Sequence, residues 1–171
     1  MDSALEVVKS LFEYEEWVND KLRRLVGQVP EGRLDESFGA SFDTIRGTYA
    51  HILRGQMYYY TRWVQADRPP NPAELTALAD VDRMWDEWWA KIMDSINAIT
   101  PEAISAPVPY SRAGVTWPTP VWQLMLNIVN HSTHHRSELC EMLARVGLPA
   151  SDVDYADFLA ERAGSAQSVA S

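Results

Sequence analysis

The chain has little of what a disulfide-stapled or membrane-spanning protein needs. It contains a single cysteine, Cys140, so no disulfide can form within the chain and a reducing compartment is favoured. No apolar run approaches the ~18 residues of a membrane span, and the N-terminus shows no basic region followed by an apolar stretch. We therefore expect a cytoplasmic protein without a membrane partner.

Positive charge is also scarce. Lys and Arg together number 15 against 24 Asp and Glu, which gives a net charge of -9. An acidic surface repels phosphate backbones and anionic lipid headgroups, and the sequence contains no dense run of Lys or Arg. Nucleic acid is therefore not expected as a partner, and tight, salt-sensitive retention of DNA would contradict this expectation.

Apolar residues recur at helical spacing along almost the whole chain, which predicts four long amphipathic helices. Threonine is a good helix cap and proline fits the first helical position, so Thr119-Pro120 is the expected start of the fourth helix. The predicted helices run from near Ser3 to Gly27, from Ser41 or Asp43 to the DRPPNP breaker at 67–72, from Asp80 to Pro101, and from Thr119-Pro120 to Gly147.

The remaining segments predict smaller features. Residues 101–119 are rich in Pro and Gly with short β-prone pieces around Ala113-Gly114, so this long third connection is expected to hold a small hairpin. A short C-terminal helix is predicted from Asp154 to Arg162, followed by a disordered polar tail at 164–171. The predicted fold is all-α, a four-helix bundle forming one domain over residues 1–163.

Three of the four histidines, His131, His134 and His135, fall within five residues. His131 and His135 are four apart, so both point from one helical face, the face that carries the apolar stripe of the fourth helix. This spacing suits two imidazoles on one metal ion. The alternative is a pair of core histidines satisfied by hydrogen bonds to carbonyls or carboxylates.

His51, on the second predicted helix, is the third candidate ligand. Gly47 and Gly55 lie one turn before and one turn after it, and glycine inside a helix costs about 0.5–1 kcal/mol relative to alanine. The glycines indicate that backbone or a ligand comes close, although packing of another helix against small residues would also explain them. Three histidine ligands leave one coordination position of the metal open, as in catalytic zinc sites. Cys140 should point away from these histidines.

Other residues near the histidines are weaker candidates. His134 projects about 100° away from His135 and is expected at the surface or beside the ligands. Glu138 could reach the edge of the site as a proton acceptor, although a solvated or ion-paired carboxylate is the simpler interpretation. Aromatic residues could line an apolar pocket beside the metal, with most of them expected in the core: Tyr58, Tyr59, Trp63, Trp85, Trp88, Trp89, Trp117 and Trp122.

Four segments resemble the DinB-like (damage-inducible) family. The segment at 130–149, NHSTHHRSELCEMLARVGLP, is similar to the family's signature helix, and the segment at 41–63, SFDTIRGTYAHILRGQMYYYTRW, is similar to the helix that carries its first histidine. The opening LFEYEEWVNDKL and the ending SDVDYADFL match in the same order, so the resemblance covers nearly the whole chain. It implies an unusual four-helix bundle, a divalent metal on His51, His131 and His135, and frequent dimers.

The resemblance also implies a chemistry. Family members of known activity are metal-dependent enzymes that use thiols, namely S-transferases with bacillithiol or mycothiol and a maleylpyruvate isomerase. We therefore expect a divalent metal (zinc, nickel or iron, all of which accept imidazole) that activates a low-molecular-weight thiol or water for attack on a small-molecule electrophile. The alternatives are a non-catalytic module that stores, senses or sequesters a metal or small ligand, and a structural bundle with satisfied core histidines.

Overall fold

The computed structural model describes the backbone of residues 3–169, with side chains from 4 to 164. This part of the chain is mostly helical, as predicted, with one small two-stranded sheet. The elements follow in the order α1 (Ser3–Val26), α2 (Ile45–Trp63), α3 (Leu78–Ala98), α4 (Pro101–Ser105), β1 (Pro107–Arg112), β2 (Val115–Pro120), α5 (Val121–Arg145) and α6 (Tyr155–Val169).

The four long helices, α1, α2, α3 and α5, pack against one another around an apolar core. Each contributes residues that are almost fully buried, such as Val18, Ile52, Ile92 and Ile128, and each such side chain contributes about 1.5–3 kcal/mol through burial. The most extensive contact joins α2 to α5, so side chains on these two helices face each other. Within residues 3–169, no helix combines the length and apolar composition needed to cross a membrane.

The loop before α2 closes on Asp43. Its carboxylate accepts hydrogen bonds from Ser37 Oγ at 2.6 Å and from the Gly39 amide at 3.0 Å, and its backbone has a φ of 62°. Because the chain turns there, α2 begins later than the predicted Ser41 or Asp43. The side chain of Thr44 caps the helix by accepting a hydrogen bond from the Gly47 amide.

The predicted hairpin is present in the third connection. Strands β1 and β2 pair antiparallel and join through Ala113 and Gly114, whose φ values of 52° and 78° match a two-residue hairpin turn. The predicted cap at Thr119 is wrong, because this residue pairs with Val108 in the sheet. Helix α5 therefore starts at Val121 without a side-chain cap.

A short helix, α4, was not predicted. Pro101 was interpreted as the end of the third helix, which in fact ends at Ala98. Instead Pro101 opens α4, and the Thr100 side chain accepts a hydrogen bond from the Ala103 amide at 3.2 Å. Proline fits this position because the first helical amide has no intrahelical acceptor.

The C-terminal helix is longer than predicted. It begins at Tyr155, close to the expected Asp154, but continues past the expected end at Arg162 to Val169. It therefore overlaps the predicted disordered tail at 164–171, whose last two residues lie outside the described part of the chain. A hydrogen bond from Tyr14 Oη to the Val153 carbonyl, 2.9 Å long, ties the start of this segment to α1.

Candidate metal centre

Three imidazole rings meet where α2 packs on α5. His51 comes from α2, and His131 and His135 come from successive turns of α5. The ring centroids are 4.9 Å apart for His51 and His131, 4.4 Å for His51 and His135, and 4.6 Å for His131 and His135. One ring nitrogen from each residue lies within 4.8 Å of the others, so the three histidines form a group that could hold a metal ion.

Two glycines of α2 permit this arrangement. A Cβ atom built on Gly55 would lie 2.2 Å from both Cε1 and Nδ1 of His131, so only glycine leaves room for that ring. A Cβ atom on Gly47 would lie 2.6 Å from the carbonyl oxygen of Phe42, so this glycine admits the backbone of the preceding loop. The predicted close approach of backbone is therefore present at Gly47. At Gly55 the neighbour is the ring of a residue on the facing helix, which also fits the alternative of helix packing against small residues.

Phe42 covers one side of the cluster and was not predicted to lie there. Its ring stacks on His51 with centroids 3.5 Å apart and meets His135 edge-on at 5.3 Å. This packing shields part of both imidazoles from water and restricts the orientation of His51. The only sequence signal for the contact was indirect, namely the glycine at position 47 that admits the Phe42 carbonyl.

Glu138 orients His135 through a hydrogen bond. His135 Nδ1 donates to Glu138 Oε2 at 2.8 Å, and Ser41 Oγ donates to Glu138 Oε1 at 2.7 Å. Burial raises the pKa of Glu138, but these hydrogen bonds outweigh it and leave the pKa below its ordinary value. A hydrogen bond from Nδ1 to a carboxylate is the arrangement in which metal-binding histidines commonly present Nε2 to the ion.

The other two rings are held by packing. Nδ1 of His51 and Nδ1 of His131 are both buried without a hydrogen-bond partner among the described residues. Burial lowers the pKa of His51 to about 3, with smaller contributions from His135, His131 and Arg54. Burial likewise lowers the pKa of His131 to about 4, followed by the effects of His135 and His134. Both rings are therefore neutral at pH 7 and can donate an electron pair.

The donors in the cluster fit a divalent cation. Nε2 of His51 and Nε2 of His131 are 3.1 Å apart, close to the roughly 3.3–3.4 Å between two nitrogens on a tetrahedral zinc ion. One shared proton could join this pair in a hydrogen bond, but it would take an electron pair from only one of the two nitrogens. A cation between the helices could accept an electron pair from both nitrogens and from a ring nitrogen of His135, which lies within 4.8 Å of them.

Metal-free protein should become less stable in acid because of His51 and His131. An unfolded chain protonates them near the ordinary pKa of 6.5, whereas the folded chain resists protonation down to about 4 for His131 and about 3 for His51. The unfolded state therefore binds more protons in this interval, and the free energy of unfolding falls as the pH drops from 6.5 towards 4. Urea unfolding of chelator-treated protein across this interval measures the effect.

A matched pair of variants isolates the contribution of the buried rings. The double variant His51→Gln and His131→Gln should lose less stability between pH 6.5 and 4 than the natural chain, because it lacks both depressed groups. The exposed residue His134, changed to Gln, should alter the slope much less, because His134 makes the smallest of the contributions that lower the pKa of His131. An identical slope in all three proteins would contradict the prediction.

A second group of possible ligands shares His135 with the first. It contains His134, His135 and Glu138, and His134 is exposed, as expected, with its ring centroid 4.7 Å from that of His135. In this group the donor atoms of His135 and Glu138 are already joined by a hydrogen bond. The group of three converging imidazoles is therefore the better candidate for a metal site. Neither group includes Cys140, which lines a different cavity beside Arg136.

Few of the aromatic residues named from the sequence lie beside the cluster. Tyr59 meets the ring of His131 edge-on, with centroids 5.9 Å apart, and Tyr58 meets Tyr59 at 5.3 Å. The other six lie in the core or nearer the surface, with Trp63, Trp85 and Trp89 buried, Trp88 partly buried, and Trp117 and Trp122 exposed. Most therefore stabilise the fold, as expected.

These features define a mostly helical protein whose packed helices bring together a histidine cluster that could bind metal. The family model of the DinB family matches residues 1–166, so the chain belongs to the DinB family, as the resemblance predicted. It is similar to Protein DinB of Bacillus subtilis (strain 168), with 20% identity over 164 residues that cover 87% of this chain and 91% of that protein.

Proposed function

We propose that this protein is a metal-dependent enzyme of the thiol S-transferase type, with His51, His131 and His135 as the metal ligands. The observation that carries the proposal is the convergence of three imidazoles between α2 and α5, with one ring nitrogen of each within 4.8 Å of the others. Three protein ligands leave a position open, which is the catalytic pattern. When bound, a divalent ion supplies Lewis acidity that lowers the pKa of a thiol or water molecule for attack on a small electrophile.

The chain's own residues would prepare the ligands for that role. Burial keeps His51 and His131 free of protons at neutral pH, so protons compete little with the ion for their electron pairs. Glu138 holds His135 in one tautomer and orientation. We further infer that α1, α2, α3 and α5 form the four-helix bundle implied by the resemblance, which supports the ligands on rigid helices.

Two measurements test the proposal. Elemental analysis of the purified protein should find zinc, nickel or iron. A screen of low-molecular-weight thiols against electrophilic small molecules should then find thiol consumption that stops when the ion is chelated and in the variant His131→Ala. One bound metal ion per chain, with no reaction of any thiol or of water with the electrophiles, would instead favour the alternative. In that case the protein would be a non-catalytic module that binds a metal or small ligand.

Glu138 is the weakest of the predicted site residues, and its role can be tested separately. The change Glu138→Gln removes the charge that polarises His135, and loss of such a partner typically weakens metal binding about 10–100-fold. Metal affinity is measured by competition with a chelator, and Glu141→Gln, an exposed carboxylate one turn along α5, is the control. Normal metal affinity combined with lost turnover would show that Glu138 acts as a proton acceptor instead.

A cytoplasmic homodimer is also part of the proposal. The single cysteine suits a reducing compartment. Val7 on α1, 57% exposed, together with Trp122 and Leu126 on α5, both 37% exposed, lines an apolar groove in which a second copy could pack. Light scattering after size-exclusion chromatography measures the molar mass, and hence the oligomeric state, of the natural chain and of the variant Leu126→Glu.

A further inference from the structure

A second cavity, of about 220 Å³, lies along α2 and the segment that follows it. Three arginines line it, Arg54 and Arg62 from α2 and Arg68 from the following segment. No carboxylate is among its lining residues. Pro69 and Pro70 form part of the wall, and Pro69 favours an extended backbone conformation at Arg68.

The three arginines differ from most others in this acidic protein. Within the described residues, none of the three forms an ion pair, although Asp and Glu outnumber Lys and Arg by 24 to 15. Seven other arginines each pair with a carboxylate: Arg23, Arg33, Arg46, Arg83, Arg136, Arg145 and Arg162. Arginines that have no carboxylate partner and share one cavity can bind an anion that the protein itself does not supply.

Arg62 shows this lack of partners at the level of atoms. Its Nε atom is buried without a hydrogen-bond partner, and its Nη2 atom reaches only the Ala66 carbonyl, at 3.4 Å. The guanidinium group lies over the Tyr58 ring, 5.4 Å from the ring centroid, which holds it in place. A buried donor without an acceptor is costly, so an oxyanion in the cavity would relieve a cost that the protein now carries.

The cavity and the metal centre share helix α2. Arg54 is about one helical turn after His51. Tyr58 and Arg62 project from α2 within about 20° of the direction of His51, and they lie about 10 and 17 Å from His51 along the helix axis. Tyr58 and Tyr59 bridge the two sites, because Tyr59 contacts both Tyr58 and the ring of His131. A molecule with one end in the cavity could therefore place its other end at the histidines.

We propose that Arg54, Arg62 and Arg68 bind the carboxylate or phosphate group of the small molecule that reacts at the metal centre. The proposal rests on the proposed function for the reaction itself, but the anion site exists independently of the metal. Arginine suits either group, because its planar guanidinium can donate two parallel hydrogen bonds to two oxygens. The substrate or thiol cosubstrate would thus be a small acid long enough to reach from the arginines to the histidines.

Calorimetric titration with inorganic phosphate and with succinate tests the site and distinguishes the two anion chemistries. The test variant is the double change Arg54→Gln and Arg62→Gln. The control is the double change Arg24→Gln and Arg112→Gln, which removes the same charge from two arginines that also lack an ion pair within the described residues but lie outside this cavity. Each protein is titrated with zinc bound and after chelation, and circular dichroism checks that all three remain folded.

We expect the natural chain and the control to bind at least one of the two anions equally well, with or without zinc. The test variant should bind about tenfold more weakly or worse, because charge-assisted hydrogen bonds are lost. Equal affinity in all three proteins, or binding that disappears on chelation and persists in the test variant, would overturn the proposal. Failure of the thiol screen would leave this result unaffected, so the two proposals fail separately.

Discussion

His135→Ala should lose the metal while keeping the fold. Loss of a residue that only hydrogen-bonds to a metal ligand costs about 10–100-fold in metal affinity. Loss of the ligand itself should therefore cost more than about 100-fold. The helical core does not depend on this side chain, and each kcal/mol lost should lower Tm by only about 2–4 °C in a chain of this size. Metal content and circular dichroism melts, measured together, test the prediction.

His134→Ala is the matched control, since it removes a neighbouring and exposed imidazole. It should change neither metal content nor Tm. Because His135 belongs to both candidate groups, His131→Ala is needed as well. Metal lost in His131→Ala and retained in His134→Ala identifies the group that contains His51. The opposite pattern, or equal retention in His135→Ala and His134→Ala, means that the ligand assignment is wrong.

Gly55→Ala should abolish metal binding although it adds only one methyl group. The new Cβ atom would lie 2.2 Å from two atoms of the His131 ring, well inside contact distance, so the ring must leave its position. Alanine favours a helix over glycine by about 1 kcal/mol, so the helix itself gains stability from the change. We therefore expect loss of metal from a protein that remains helical, measured by chelator competition and circular dichroism.

Gly164→Ala provides the matched control for this substitution. Gly164 also lies in a helix, α6, but a Cβ atom there would meet nothing within 4 Å. Its replacement should leave metal affinity unchanged. Normal metal binding in Gly55→Ala would show that the His131 ring is free to move away, or that it is not a ligand.

The sequence predicted the long helices well because their apolar residues recur with one period over many turns. It also predicted the hairpin, whose turn at Ala113 and Gly114 depends on local backbone preferences. The end of the last helix was harder to predict. The residues after Arg162 are small and polar, so they lack the apolar period on which the prediction rests.

The two Thr-Pro pairs show why local signals alone were insufficient. Thr100-Pro101 opens a capped helix, whereas Thr119-Pro120 belongs to a strand. The difference arises from tertiary structure, because Thr119 pairs with Val108 in the sheet and the Val121 amide donates to the Ala106 carbonyl. The same dipeptide therefore has two outcomes that depend on pairing partners elsewhere in the chain.

The histidine cluster was predictable in part. The spacing of His131 and His135 and the glycines around His51 are local patterns, so they could be read from the sequence. The contacts of Phe42 and Ser41 come from a loop whose path depends on Asp43, and no periodicity reports such a path.

Glu15 illustrates the same limit. It interrupts the apolar stripe of α1 and is fully buried, 2.8 Å from the guanidinium of Arg136 on α5. This ion pair fixes α1 against the helix that carries two of the histidines, and one partner cannot be inferred without the other. The two residues are 121 positions apart in the chain, which is why sequence patterns gave no indication of the pair.

X-ray absorption spectroscopy tests most directly the central claim, that three histidines bind one metal ion. The protein is purified without any added thiol. If His51, His131 and His135 hold one ion, elemental analysis should find about one divalent metal per chain. For zinc, the first shell should contain three imidazole nitrogens at about 2.0–2.1 Å and no sulfur at about 2.3 Å. Protein that purifies without metal and takes up none when zinc, nickel or ferrous iron is added, or a first shell containing sulfur from Cys140, would contradict the account.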